Sequence, residues 1–169
     1  MTDSGSISDA LNVAADIRAR TQNSCVVCGQ ENPHGLRIHY HLQEDGAIAA
    51  DWQPTENWEG FEGIVHGGII STVLDEAMSK AVAAMNFEAL TSELRVRFRH
   101  HVGAGENLRI RGWIVARVKR LIKTEATLTS ANGSERAHAW ASFLAVPGQT
   151  RPMESRGMEI EGRRDSIPQ

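Results

Sequence analysis

A chain of 169 residues that is 41% apolar can bury one core, and it fits one domain with loose ends. Its 18 basic and 21 acidic residues are mixed along the chain and leave a formal charge of −3. That excludes bulk nucleic-acid binding, though not a local basic patch for a phosphorylated small ligand. No apolar run approaches the length of a membrane span, and the start has no charged-then-apolar leader pattern. A cytoplasmic protein without membrane contact is expected.

In chain order, the spacing predicts a short amphipathic helix from Ile7 to Arg20, after six frayed residues. The turn-rich stretch SCVVCGQENPHG follows. Its Cys25 and Cys28 are the only cysteines, so no disulfide framework is implied. A structural zinc site needs four ligands, and the spacing of His34, His39 and His41 fits no familiar pattern. His39 and His41 alternate with Ile38, Tyr40 and Leu42, as the polar face of a strand does. The two thiols therefore read as idle, and no metal is expected.

Asp45-Gly46 splits residues 36–52 into the arms of a hairpin. QPTENWEGFEG reads as loop. A long helix is predicted from Gly67 to Met85, with a broad apolar stripe through Ile69, Ile70, Val73, Leu74, Ala77, Met78, Ala81, Val82 and Met85. Strand-like segments follow: SELRVRFRHHV, then two strands with a break near 117–120, then ERAHAWASFLAV after the Asn132-Gly133 turn. Beyond Pro147 the chain is charged and poor in apolar residues, so 148–169 is expected to be a tail. One long helix followed by a strand meander implies an α+β domain whose antiparallel sheet wraps the helix. The expected organisation is an arm over 1–24, a domain over 25–147 and the tail.

The start of the long helix carries His66, Gly67 and Gly68. First-turn amides lack internal partners and sit at the positive end of the macrodipole, and the glycines let a ligand oxygen approach them. That suits an oxyanion. A tight turn packed on its neighbours is the plainer use of Gly-Gly. His66 could cap the helix, orient the loop or face the ligand.

Two acids, Asp75 and Glu76, lie in the middle of this helix. Glu76 has Lys80 as its i+4 partner, an ordinary surface ion pair. Asp75 falls beside Ser71, Met78, Ser79 and Val82 with no cation at helical spacing, so it is the better candidate for base chemistry. Gly67 and Asp75 are eight residues apart, about 12 Å along the axis. One small carbonyl cannot meet both on a single helix. If both act, two copies with antiparallel helices must share each site.

Arg95, Arg97 and Arg99 alternate along one strand, and Arg117, Lys119, Arg120 and Lys123 lie near a strand junction. Either set could hold phosphates or be a solvated face. His100 and His101 read as structural or surface residues. Trp52, Trp58 and Trp113 suit core packing or an acyl pocket.

The pattern G-x-x-H-G-G-x-x-x-x-x-L-D-E resembles the hotdog-fold acyl-CoA thioesterases of the PaaI-like (phenylacetate-pathway) group. CVVCGQENPHGL is similar to a leader found in one branch of that group, and TSELRVRFRHHV is similar to its strand after the helix. The match spans roughly residues 25–146. The resemblance implies a hotdog fold, a homodimer or dimer of dimers, and hydrolysis of an acyl-CoA thioester without a cofactor. Carried over by position, Gly67 would offer the oxyanion amide and Asp75 would activate water or attack directly. Thr91 stands where some relatives have a hydroxyl that places the water. Many relatives have Asn or Gln six residues before the histidine, where this chain has Gly60. That departure keeps open a non-catalytic module that binds acyl-CoA or an acylated carrier. Together, Asp75, Gly67, His66 and Thr91 form the expected catalytic set, and Gly68, Gly60, Arg97 and Arg99 the expected substrate contacts.

Overall fold

The structure, a computed structural model, describes residues 24–147. The helix expected over 7–20 and the tail over 148–169 lie outside the described residues. Strands β1 (His41–Leu42) and β2 (Ile48–Trp52) come first. A short 3-10 turn (Glu56–Trp58) leads to β3 (Glu59–Phe61) and β4 (Ile64–Val65), and then to the helix α1 (Gly67–Ala84). The chain continues through β5 (Ala89–Phe98), β6 (Leu108–Val118), β7 (Leu121–Ser130) and β8 (Glu135–Ala145).

Six strands form one antiparallel sheet in the order β1-β2-β6-β7-β8-β5, and β3 and β4 form a separate small hairpin. The turn residues act as their chemistry predicts. Gly46 and Gly133 adopt positive φ at the two expected hairpins, and Asp45 Oδ1 accepts the Ala47 N–H at 3.2 Å. The break near 117–120 is a two-residue turn with Lys119 at φ 55°.

The sequence expectation differs from the structure in three places. Residues 53–63 read as loop but contain β3. Leu36 and Ile38 make no ladder with β2. Their amides instead donate to Val26 and Val27 carbonyls at 2.8 and 2.9 Å, so the cysteine turn takes up that arm. Finally, β5 does not lie beside β6. It pairs with β8 at the far side of the sheet, and among the described residues no strand lies along its other edge.

Helix α1 lies against the sheet. Val73, Leu74, Ala77 and Met78 are fully buried, facing Ile110, Ile122, Leu128 and Phe143 from the strands. Each large side chain so buried contributes about 1.5–3 kcal/mol. β8 turns Ala137, Ala139, Ala141 and Ala145 to this face, and small residues let the helix sit close. Gly112 of β6 marks the closest approach: a Cβ there would lie 2.8 Å from the Ala77 carbonyl carbon. Among the described residues, no helix is long and apolar enough to cross a membrane.

Candidate active site

The helix start is built by His66. In extended conformation (φ −61°, ψ 133°), it is the N-cap, and its ring Nδ1 accepts the Gly68 N–H at 2.9 Å. Its carbonyl accepts from Ile69 and Ile70, and its own N–H donates to Trp58. The Gly68 amide is therefore committed to the cap. Gly67 alone in the first turn has an N–H with no acceptor among the described residues. With Nδ1 accepting, a neutral ring carries its proton on Nε2.

Two close approaches hold this geometry. A Cβ on Gly60 would lie 2.9 Å from His66 Cδ2, so Gly60 is the space into which the histidine ring folds. A Cβ on Gly67 would lie 3.3 Å from Phe98 Cζ, so the aromatic ring covers the first helical residue. An open cleft of about 530 Å³ adjoins them, lined by Phe61, His66, Gly67, Phe98 and His101 among others. His100 and Arg99 also line it. Sequence reasoning singled out His66 but read His100 and His101 as structural or surface residues and missed Phe98, because only the return of β5 to the helix start brings these three here.

Asp75 does not line that cleft. It lies two turns further along α1, about 12 Å from Gly67 along the axis. Its Oδ1 accepts the Thr91 hydroxyl at 3.0 Å. Burial pushes the Asp75 carboxyl above the usual aspartate range; the Thr91 hydrogen bond lowers it in part, and the neighbouring Glu76 charge raises it. Thr91 reaches this position at a register shift between Thr91 and Glu93, where Thr91 pairs with the inward-facing Phe143.

Glu76 is not an ordinary surface ion pair. Lys80 Nζ lies 3.4 Å from its Oε1, with both side chains largely covered. The same oxygen accepts from Cys28 Sγ at 2.8 Å and lies 3.9 Å from Cys25 Sγ. Burial, and then the hydrogen bond to Glu76, push the Cys28 thiol far up, so it is no nucleophile.

The arginines divide. Arg95 and Arg97 pair with Trp140 and His138 on the outer face of the sheet, away from Asp75, and Arg95 packs over the Trp140 ring. Arg99 lies past the end of β5, ion-paired with Glu135 and at the rim of the cleft. Trp52 is in the core, Trp58 packs against it and Trp113 meets His138 edge-on, so none of the three lines the cleft.

Residues 62–137 match the model of the Thioesterase superfamily. No curated protein matches the sequence. Among solved structures, the E. coli PaaI protein from the phenylacetic acid degradation operon is similar at 16% identity with a TM-score of 0.70, over 85% of this chain and 96% of that one. The smu.793 protein of Streptococcus mutans UA159, solved bound to acetyl CoA, is similar at 20% identity with a TM-score of 0.63, over 68% and 90%. A hypothetical thioesterase of Streptococcus pneumoniae TIGR4, solved with coenzyme A, is similar at 17% with a TM-score of 0.62, over 68% and 91%. That protein was also solved with an aspartate or a threonine replaced by alanine, two positions sixteen apart in its chain. One central helix against a six-stranded antiparallel sheet is the hotdog fold, and the segment that matches the Thioesterase superfamily, residues 62–137, carries α1, β5, β6 and β7 of it.

Proposed function

We propose that this protein hydrolyses an acyl-CoA thioester to the free acid and CoA, in two equivalent sites each shared between two copies of the chain. The domain responsible spans residues 25–147 and belongs with the PaaI-like group. The observation that carries the proposal is the pair of contacts at the two ends of β5: Thr91 at its start bonds Asp75, and Phe98 at its end covers Gly67.

β5 is an edge strand with exposed apolar side chains: Leu90 is 71% and Phe98 51% exposed, and Leu94 is partly so. Exposed apolar edges are rarely left unpaired. Pairing with its own copy about a two-fold axis runs β5 antiparallel to its mate, with the start of one strand beside the end of the other. Asp75 of one copy then comes beside Gly67 of the other, and the 12 Å gap within one helix ceases to matter.

In that site the Gly67 N–H stabilises the oxyanion that forms as the thioester carbonyl is attacked. Asp75 takes the proton of the attacking water, or attacks itself to give a mixed anhydride that water then opens. The C–S bond breaks and the thiolate leaves to be protonated. Thr91 holds the carboxylate in place. Asp75 and Thr91 are sixteen residues apart, the separation of the aspartate and threonine replaced in the S. pneumoniae protein. Its coenzyme A, and the acetyl CoA of the S. mutans protein, support the choice of thiol. Arg99, at the rim of the cleft, is the arginine suited to a CoA phosphate.

Gly60 favours one rival, a module that binds acyl-CoA without cleaving it. A thiol-release assay over short, long and aromatic acyl-CoAs separates the two. Release that is lost in Asp75→Asn supports hydrolysis, and tight binding without release supports the rival. Co-expression tests the sharing. Asp75→Asn and Gly67→Pro are each expected to be inactive alone, and a mixed dimer regains one of its two sites. Mixed dimers as inactive as the parents would refute a shared site.

A further inference from the structure

We propose that Cys25, Cys28 and Glu76 form a binding site for one zinc-like divalent cation, which ties the cysteine turn to the middle of α1. This inference stands apart from the hydrolysis and uses none of its groups.

The ligand atoms of the three residues all lie within 4.8 Å of one another. Zinc takes thiolate sulfur at about 2.3 Å and carboxylate oxygen at about 2.0–2.2 Å, so tetrahedral ligation sets S···O near ~3.5 Å. The contacts from Cys28 and Cys25 to Glu76 Oε1, 2.8 and 3.9 Å, bracket that value. Small side-chain rotations suffice to centre an ion. Cys28 is buried and Cys25 half-buried, so the fourth position falls to water on the Cys25 side. Two thiols with one carboxylate select zinc and its soft neighbours over magnesium or calcium.

The turn is already held in shape. The Val27 N–H points at Cys25 Sγ (3.4 Å), the hydrogen bond that supports a metal-bound thiolate, and the Gly29 N–H donates to the Cys25 carbonyl at 3.0 Å. The Val26 and Val27 carbonyls are bound by Leu36 and Ile38. From the other side, Lys80 holds Glu76. The charges also balance. Without metal, Glu76 and Lys80 offset each other and both thiols are neutral. With it, two thiol protons leave to solvent, and the ion together with Lys80 offsets two thiolates and one carboxylate. The ligands are contributed by segments 48 residues apart, so an ion here would close a long loop.

The test uses the full chain, reduced and freed of metal by chelator, and titrated with cobalt(II). The expected result is thiolate-to-cobalt absorption in the near ultraviolet. It should saturate at one cobalt per chain and bleach on adding zinc(II), with a rise in Tm when zinc is bound. Cys25→Ser and Cys28→Ser should each reduce or abolish the absorption. Glu76→Gln should weaken cobalt binding at least ~10-fold, the lower end of what losing even an outer partner of a metal ligand costs. Circular dichroism confirms that each variant folds; should Cys28→Ser fail to, Cys25→Ser at its half-buried position carries the test. Absence of the absorption overturns the proposal, as does an absorption that survives both serine variants. So does a Cys25–Cys28 disulfide that takes up no cobalt after reduction.

Discussion

Asp75 and Glu76 are neighbours in sequence, yet they face different parts of the molecule. Asp75 faces β5, where among the described residues the Thr91 hydroxyl is its one side-chain hydrogen-bonding partner, and burial raises its carboxyl. Glu76, about 100° round the helix, faces the cysteine turn, where two thiols and a lysine converge on one oxygen. The difference teaches that composition alone does not assign roles to a pair of acids. The acid with few partners, beside an open sheet edge, is free to exchange a proton with a ligand. The acid saturated with partners is bound into the frame.

The largest expected effect is on turnover. Asp75→Asn removes the base and should lower kcat for thiol release by about 10²–10⁴-fold, while size-exclusion chromatography finds the same oligomer. Gly67→Pro comes next. Proline is accommodated at the first helical position, so it deletes the amide while leaving the helix, and the loss should be about 100-fold or more. Its ring also meets Phe98, so Phe98→Ala in the same background should leave the loss in place if the missing N–H is its cause. Recovery of activity in that double variant would point to crowding instead.

A smaller effect tests the two acids against each other through pH. Asp75 acts as its carboxylate, so kcat falls as pH drops through its raised value, above the ordinary aspartate range. Thr91→Val removes the hydrogen bond that lowers this value and should move the acid limb to higher pH. In chelator-treated protein, Glu76→Gln removes a charge that raises it and should move the limb to lower pH. Opposite shifts in a pH–kcat profile would confirm the division; equal shifts would break it.

What was legible in the sequence follows from how local each signal is. The helix was readable because the 3.6-residue stripe from Ile70 to Val82 needs no partner to be seen, and the hairpins because Asp45-Gly46 and Asn132-Gly133 carry their own turn chemistry. β3 was hidden by the glycines and asparagine that make QPTENWEGFEG look like loop, and β5 was misplaced because pairing with β8 is a long-range event. The same division holds in the site. His66, Gly67 and Asp75 share one helix, so spacing relates them. Thr91 was reached only through the family resemblance. Phe98 over Gly67 and Cys28 on Glu76 had no signal at all, because the contacts join segments that only the sheet order and the path of the cysteine turn bring together.

The smallest effect concerns stability, and its sign runs against that on activity. The Asp75 carboxyl is raised on folding chiefly by burial. The folded state therefore favours the protonated form, and stability from this group is present below the ordinary aspartate pKa and is lost as pH rises through the raised value. At pH 7 the charged, partly desolvated carboxylate is a burden on the fold. Asn carries no charge and can still accept from Thr91. Asp75→Asn should therefore raise Tm at pH 7, and the gap over the unaltered chain should close as the pH falls below the ordinary aspartate range. Glu76→Gln should do the reverse at pH 7, because Lys80 and the cysteine turn lose a charged partner. Thermal melts of both variants across pH would read the two signs side by side, and a destabilising Asp75→Asn would mean that this acid, too, belongs to the frame.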